Sequence, residues 1–297
     1  MNDPATIVCF GEVLWDLLPS GKIAGGAPMN VAYHVNRMGL RAHMISRTGQ
    51  DDLGREIRQF LETKGVDTQL IQQDPTFPTG VVKVTLDTQG QASYEILQPV
   101  AWDYIQPDVQ AREMVTNADV LVFGSLACRT DRTLQTLLEL LDLAVYSVFD
   151  VNLRPPFYSE QLLARLLPLA DIVKMNDDEL AIIGGWFTNG TDEQSRMEGL
   201  LQKFNLQGIV VTKGKDGAAF LDAGGFYLQP GFEVTVEDTV GSGDAFLAAF
   251  LRKRFEGRLP EECLEYACAT GALVATHKGG TPALSPDAVS QFLNNRK

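Results

Sequence analysis

Short apolar runs alternate with longer segments whose apolar residues recur at helical spacing. Thr6–Phe10 is a continuous apolar run ending in Gly11-Glu12, and Asp119–Ser125, Ser147–Val151, Asp171–Met175 and Ile209–Thr212 have the same character. Such runs suit strands buried on both faces. Leu40–Ser46 and Thr68–Gln73 read as further strands, and Phe232–Val236 is strand-like. Pro28–Met38, ended by Gly39, and Asp51–Lys64, ended by Gly65, read as helices; Thr133–Leu143, Glu160–Leu167 and Asp192–Phe204 are amphipathic. Asp244–Phe255, Pro260–Thr276 and Pro286–Asn294 make the C-terminal end helical. Strand–helix alternation predicts an α/β fold, a doubly wound, mostly parallel sheet with helices on both faces. Val13–Leu18 with Lys22–Ala24, Thr79–Asp87 with Ala92–Gln98, and Gly217–Leu228 read as antiparallel pairs. With no repeat, low-complexity tract or linker, residues 1–297 read as one domain carrying a small β-sheet lid from about 13–24 and 79–100.

Composition narrows the function. The chain has 297 residues, 45% of them hydrophobic, enough for a full core. A formal net charge of −13 argues against a nucleic-acid or anionic-membrane surface. Cys9, Cys128, Cys263 and Cys268 show no metal-binding spacing, and His34, His43 and His277 are scattered. Free thiols suit a reducing cytoplasm, and neither a leader nor a membrane-length apolar run is evident.

The most informative stretch is Glu237-Asp238-Thr239-Val240-Gly241-Ser242-Gly243-Asp244-Ala245-Phe246, which opens an apolar helix. Gly241, Ser242 and Gly243 permit a sharp turn and close ligand approach, and free N–H groups at a helix start favour an anion. Asp244 either caps the helix or is a base aimed at a hydroxyl whose attack on a phosphate those N–H groups support. A dinucleotide fingerprint, a P-loop, a nucleophile elbow and a zinc-protease motif are all missing. Elsewhere ordinary readings compete with functional ones. Asn176 and Glu179 form an N-x-x-E element that also reads as a helix cap. Asp150, Asn152 and Arg154 stand at a strand end, where open parallel sheets bind ligands, or are turn and surface residues. Thr212-Lys213-Gly214 reads as a charged turn, and His277-Lys278-Gly279-Gly280 as a helix C-cap. Asp16 and Asn30 flank Gly25-Gly26, and a carboxylate with an amide suits vicinal hydroxyls.

DTVGSGDAF resembles the C-terminal signature of the PfkB family of sugar kinases, which have the ribokinase-like fold, and Gly25–Ala32 (GGAPMNVA) resembles its N-terminal motif. D-x-N-x-R, GEVLWDLLP, Tyr94 and the PVAWD stretch are similar to the fructokinase branch. The resemblance implies an ATP-dependent kinase that phosphorylates a primary hydroxyl of fructose. Alternatives are 2-keto-3-deoxygluconate, ribose or a nucleoside as acceptor, or a non-catalytic regulator that binds sugar or nucleotide. It implies Asp244 as base, with Gly241, Ser242 and Gly243 as anion hole. Asp16, Gly25, Gly26, Asn30 and Arg154 would bind the sugar; Asn176, Thr212, Lys213, Gly214, Lys278 and Gly279 would bind the nucleotide. Glu179 would hold Mg2+ through water, and Asp238 with Gly280 would border a monovalent-cation site for K+. Ser242 and Val240 depart from common family residues without removing a backbone donor. Trp102 would either pack near the sugar or anchor the lid. Lid-sheet edges that want cover imply a homodimer.

Overall fold

A computed structural model describes residues 3–18, 21–86 and 92–296. The expected turns at Pro19-Ser20 and Thr88-Gln89-Gly90-Gln91 fall outside these residues or at their edge.

In β1 (Thr6–Phe10), Ile7 and Cys9 belong to one core and Val8 and Phe10 to another. Alternate side chains of a strand point to opposite faces, so a strand apolar throughout needs cover on both sides. Helices later in the chain supply that cover. After β2 (Leu14–Leu18) and β3 (Gly21–Gly25) come α1 (Ala27–Arg37), β4 (Arg41–Gly49), α2 (Asp52–Thr63), β5 (Ile71–Asp74), β6 (Gly80–Leu86) and β7 (Ala92–Ile96). The middle of the chain adds α3 (Val109–Asn117), β8 (Val120–Gly124), α4 (Asp131–Leu141), β9 (Ser147–Asp150), α5 (Glu160–Leu166), β10 (Ile172–Asn176), α6 (Asp177–Phe187), α7 (Glu193–Phe204) and β11 (Gly208–Thr212). The hairpin β12 (Ala218–Asp222) and β13 (Gly225–Gln229) precedes α8 (Ser242–Phe255), α9 (Pro260–Ala275) and α10 (Pro286–Asn294).

The main sheet runs β13-β12-β11-β10-β9-β8-β1-β4-β5, with parallel neighbours from β11 to β5 and an antiparallel hairpin at the other edge. Residues of α1, α2 and α8–α10 fill one face, those of α3–α7 the other. This is the doubly wound arrangement the alternation predicts, and it gathers the ends of β1, β9, β10 and β11 along one edge. All four cysteines are free and buried. Among the described residues, no helix is long and apolar enough to cross a membrane.

Some elements differ from expectation. Phe232–Val236 forms no strand; Phe232 packs on Phe292 of α10, so its apolar character serves a helix contact. α3 was not expected; it starts where the Asp108 carboxylate accepts from the Ala111 N–H. α6 contains Gly184 and Gly185, which weaken helix propensity, and a side chain at Gly184 would collide with Arg196 of α7. β4 runs on to Gly49, and β5 begins at Ile71 rather than Thr68.

The second sheet, β3-β2-β6-β7, is separate and small. Among the described residues, several contacts root it to the body. The Trp15 indole donates to the Leu53 carbonyl. Asp51 accepts from both the N–H and the hydroxyl of Thr79, just before β6. Beyond β7, Arg129 donates to the Leu97 carbonyl and makes a two-pronged pair with Asp103, at 2.6 and 2.8 Å. The Arg129 guanidinium also lies 3.8 Å from the Trp102 ring centroid and 4.8 Å from that of Phe157. Trp102 is fully buried in this clamp. Tyr94 is exposed on β7.

Arg129 and Asp103 are each 1% exposed. Asp103→Ala therefore leaves a buried guanidinium without its counter-charge and is expected to cost about 3–5 kcal/mol of unfolding free energy. Urea titration checks this; a loss below about 1 kcal/mol, the size of a surface pair, would refute the clamp.

Candidate active site

The helix that carries Asp244 starts two residues earlier than the sequence suggests. Gly241 is its N-cap, at φ 75°, and Asp244 is the third helical residue. Only glycine fits at 241: a Cβ would lie 2.5 Å from the backbone of Gly280, and the backbone is left-handed. Asp244 does not cap the helix. Its carboxylate instead accepts a 2.8 Å hydrogen bond from the Asn30 amide of α1. Among the described residues, the N–H groups of Gly241, Gly243 and Asp244 have no hydrogen-bond partner, and the buried Ser242 hydroxyl has none either. This is a turn of unused donors beside a carboxylate, at the positive end of a helix dipole.

The dipole alone would make Asp244 a weak base. Its surroundings reverse that. Burial, then the charge of Asp150, raise its pKa to about 6, against the opposing pull of Lys174, Asn30 and Arg154.

Beneath this turn lies a buried ion pair. Lys174 of β10 donates to Asp150 of β9 at 2.8 Å, and the second Asp150 oxygen has no partner among the described residues. Burial opposes the lysine's charge, but Asp150, Asp244 and Glu179 outweigh it and raise its pKa. A Cβ on Gly243 would sit 3.1 Å from the ammonium, so that glycine lets the helix start rest on it. Lys174 was missed as a site residue, although a lysine inside the buried run Ile172–Asn176 is itself a signal.

The loop after β9 turns through Asn152 at φ 42°. Arg154 is exposed and, among the described residues, has no carboxylate within ion-pair distance. Its charge nevertheless draws on the carboxyls of Glu12, Asp16 and Asp244. Glu12 was also missed. It is buried just after β1, one of its oxygens has no partner among the described residues, and burial raises its pKa to about 7.

On the small sheet, burial raises the Asp16 pKa and Arg154 opposes the shift. A Cβ at Gly25 would crowd the Asp16 carboxylate at 2.8 Å, and one at Gly26, where φ is 116°, would strike the Glu12 carbonyl. Asn30 spends its amide N–H on Asp244, and its buried carbonyl oxygen has no partner among the described residues.

Along the strand edge, Asn176 pairs in register with Thr212. Asn176 and Glu179 form a reciprocal cap, and the other Glu179 oxygen accepts from the Leu153 N–H at 2.7 Å. In this structure Glu179 therefore ties the Arg154 loop to the start of α6. Lys213 pairs with Glu193 at 3.1 Å beside the left-handed Gly214. Lys278 is exposed and meets Glu237 at 3.3 Å. Asp238 accepts from the N–H groups of Val240 and Gly279, joining the loop before α8 to the loop after α9. Among the described residues, no cluster of three or more His, Cys, Asp or Glu side chains converges as a metal site.

The pfkB family carbohydrate kinase model matches residues 19–288. The chain belongs to that family. Its sequence is 32% identical over 328 aligned positions to probable fructokinase-3 of Arabidopsis thaliana, covering 100% of this chain and 93% of that one. The fructokinase of Xylella fastidiosa, solved with bound ATP, superposes with a TM-score of 0.86 at 26% identity, covering 98% of each chain. A fructokinase double mutant of Vibrio cholerae O395, solved with fructose, ADP and potassium, gives 0.83 at 25% identity over 99% of this chain and 100% of that one. As a pfkB family member this chain is a carbohydrate kinase, a phosphotransferase with an alcohol acceptor.

The fold brings the two family signatures together. Asn30 of the first reaches Asp244 of the second, Asp16 and Gly25 lie on the paired strands leading into the same helix, α1, and Gly26 is that helix's N-cap. Asn176, Thr212, Lys213 and Gly214 sit at neighbouring strand ends, and Lys278, Gly279 and Gly280 border the loop before α8.

In the free protein the Asp244 carboxyl should titrate near 6. Asn30→Ala removes a donor to the charged form, so the midpoint should move higher still. Carbon-13 NMR titration checks both; a midpoint near the ordinary ~3.9 would contradict the burial argument.

Proposed function

We propose that this chain transfers the γ-phosphoryl group of ATP to O6, a primary hydroxyl of fructose. The observation that carries the reading is Asp244: a carboxylate of raised pKa, held by Asn30 and standing among unused N–H donors at a helix start. Asp244 takes the hydroxyl proton, the sugar oxygen bonds to the γ-phosphorus, and the bond to the β-phosphate oxygen breaks to release ADP. The N–H groups of Gly241–Asp244, with Ser242, hold the charge on the transferring group. A base of pKa about 6 is weak for an alcohol, but in a loose transition state the proton leaves late.

Asp16 and the free Asn30 oxygen address sugar hydroxyls beside Gly25 and Gly26, and Arg154 meets the sugar or the moving phosphoryl group. Asn176, Thr212, Lys213, Gly214, Lys278 and Gly279 flank the nucleotide. Unused N–H donors and a partnerless Asp150 oxygen suit a nucleotide phosphate chain with its cation. Mg2+ would sit there mainly on phosphate and water, with Glu179 reaching it through water, and would neutralise phosphate charge. Asp238 and Gly280 border the place proposed for K+. The small sheet serves as a lid that excludes water. Its exposed Ile23 and Tyr94 support a homodimer formed through that sheet in the cytoplasm.

Asp244→Asn should fold and bind both substrates yet lose turnover by roughly 10²–10⁴-fold, as for a removed general base. Near-normal turnover would remove Asp244 as base. ADP release with Mg-ATP and fructose, glucose, ribose, 2-keto-3-deoxygluconate or adenosine, each with and without potassium, tests the acceptor; turnover confined to a panel member other than fructose would refute fructose. A monomer by light scattering at micromolar concentration would refute the dimer.

A further inference from the structure

α1 reaches the phosphate-binding turn by two routes, of which the site described above uses one. Asn30 holds Asp244. One helical turn later, on the same face, His34 is completely buried, and its Nε2 lies 2.8 Å from the Gly280 carbonyl oxygen. A carbonyl only accepts, so Nε2 carries the hydrogen and Nδ1 presents a bare lone pair. Nδ1 is buried without a partner among the described residues. Burial lowers the imidazole pKa to about 4, keeping the ring neutral.

His34 heads a wider grip. The Tyr33 hydroxyl donates to Pro282 O at 3.0 Å, Arg37 Nε to Leu284 O at 3.2 Å, and Lys64 Nζ to Thr281 O at 3.4 Å. The loop after α9 is thus held by its carbonyls from α1 and the end of α2. Gly280 is where this loop meets the phosphate-binding turn. A methyl on Gly241 would lie 2.5 Å from both the Cα and the oxygen of Gly280. Backbone packed so closely transmits a shift.

We propose that His34 is a positioning residue for phosphoryl transfer: by holding the Gly280 carbonyl it seats the peptide against which Gly241, the N-cap of the phosphate-binding helix, is placed. This rests on the reading that the Gly241–Asp244 turn binds the transferring phosphoryl group. An apolar side chain at 34 would leave the Gly280 carbonyl unpaired in the interior and the turn free to move.

The test compares His34→Leu with His34→Gln, whose carboxamide N–H can take the place of Nε2–H. In His34→Leu, kcat should fall about 10–100-fold, while KM for the sugar stays within about threefold because Asp16 and Asn30 are untouched. His34→Gln should recover most of the loss. Hydrogen–deuterium exchange on the ligand-free proteins supplies a readout independent of turnover. Amides of 239–245 and 278–282 should exchange faster in His34→Leu than in wild type or His34→Gln, with 208–212 unchanged. Wild-type kcat and exchange in His34→Leu would overturn the proposal. So would equal defects in both variants, or faster exchange throughout, which would mark a packing loss. A wild type silent on every acceptor would defeat the kinase reading, and the exchange comparison would still decide whether His34 holds the turn.

Discussion

The cleft depends on one buried ammonium. Lys174 carries its charge inside a parallel sheet, where desolvation is costly and only close carboxylates offset it. Asp150 supplies the contact, while Asp244 and Glu179 add attraction from further off. The benefit is mutual: without Lys174, Asp150 would stand buried and unpaired, and Asp244 would lose the largest influence keeping its charged form accessible. Because β9 and β10 are parallel neighbours, their ends place Asp150 and Lys174 side by side, and Gly243 lets α8 begin directly over them. Sheet pairing and helix start thus converge on one charge that holds down the Asp244 pKa.

Burial and the helix dipole act on Asp244 in opposite directions. At the first turn of an exposed helix the dipole would win and hold the carboxyl low. Here the helix start is sunk against α1, β10 and the Gly280 loop, and water is too scarce to solvate the charge well. A bound phosphate would add negative charge nearby, raising the pKa further in the complex than in the free protein.

How legible each feature was in the sequence depends on how local its signal is. Buried strands announce themselves through composition, Gly241 and Gly26 through backbone conformations that L residues rarely adopt, and Gly25 through close packing on Asp16. The site's glycine signatures, Asp244 and Asn30 belong to this kind. Features made where distant segments meet were not legible. Lys174 and Asp150 are a cation and an anion on different strands until the sheet forms. His34 read only as a scattered histidine, and neither Glu12 nor the Arg129–Asp103 pair carries a local signal of its role. Phe232–Val236 misled because packing on a helix and pairing in a sheet select the same apolar residues. Trp102 stayed ambiguous because an aromatic ring suits a sugar as well as a guanidinium.

The site's two cations play different parts. Lys174 is locked between strands and cannot track a moving group. Arg154 is exposed, on a loop held at its base by Glu179, and its charge acts on Glu12, Asp16 and Asp244 together. In the proposed reaction, a phosphoryl group passing from nucleotide to sugar would carry its charge from the strand edge toward the small sheet. A fixed ammonium stabilises one end of that path. A guanidinium with no ion pair among the described residues, holding only the Leu153 carbonyl, would be able to meet charge arriving at the other without first breaking a carboxylate contact. The small sheet, rooted at Trp15, Thr79 and Leu97, carries Asp16, while Asp244 belongs to the body, so under the proposed lid role closure over a sugar would alter the acceptor side rather than the turn at Gly241.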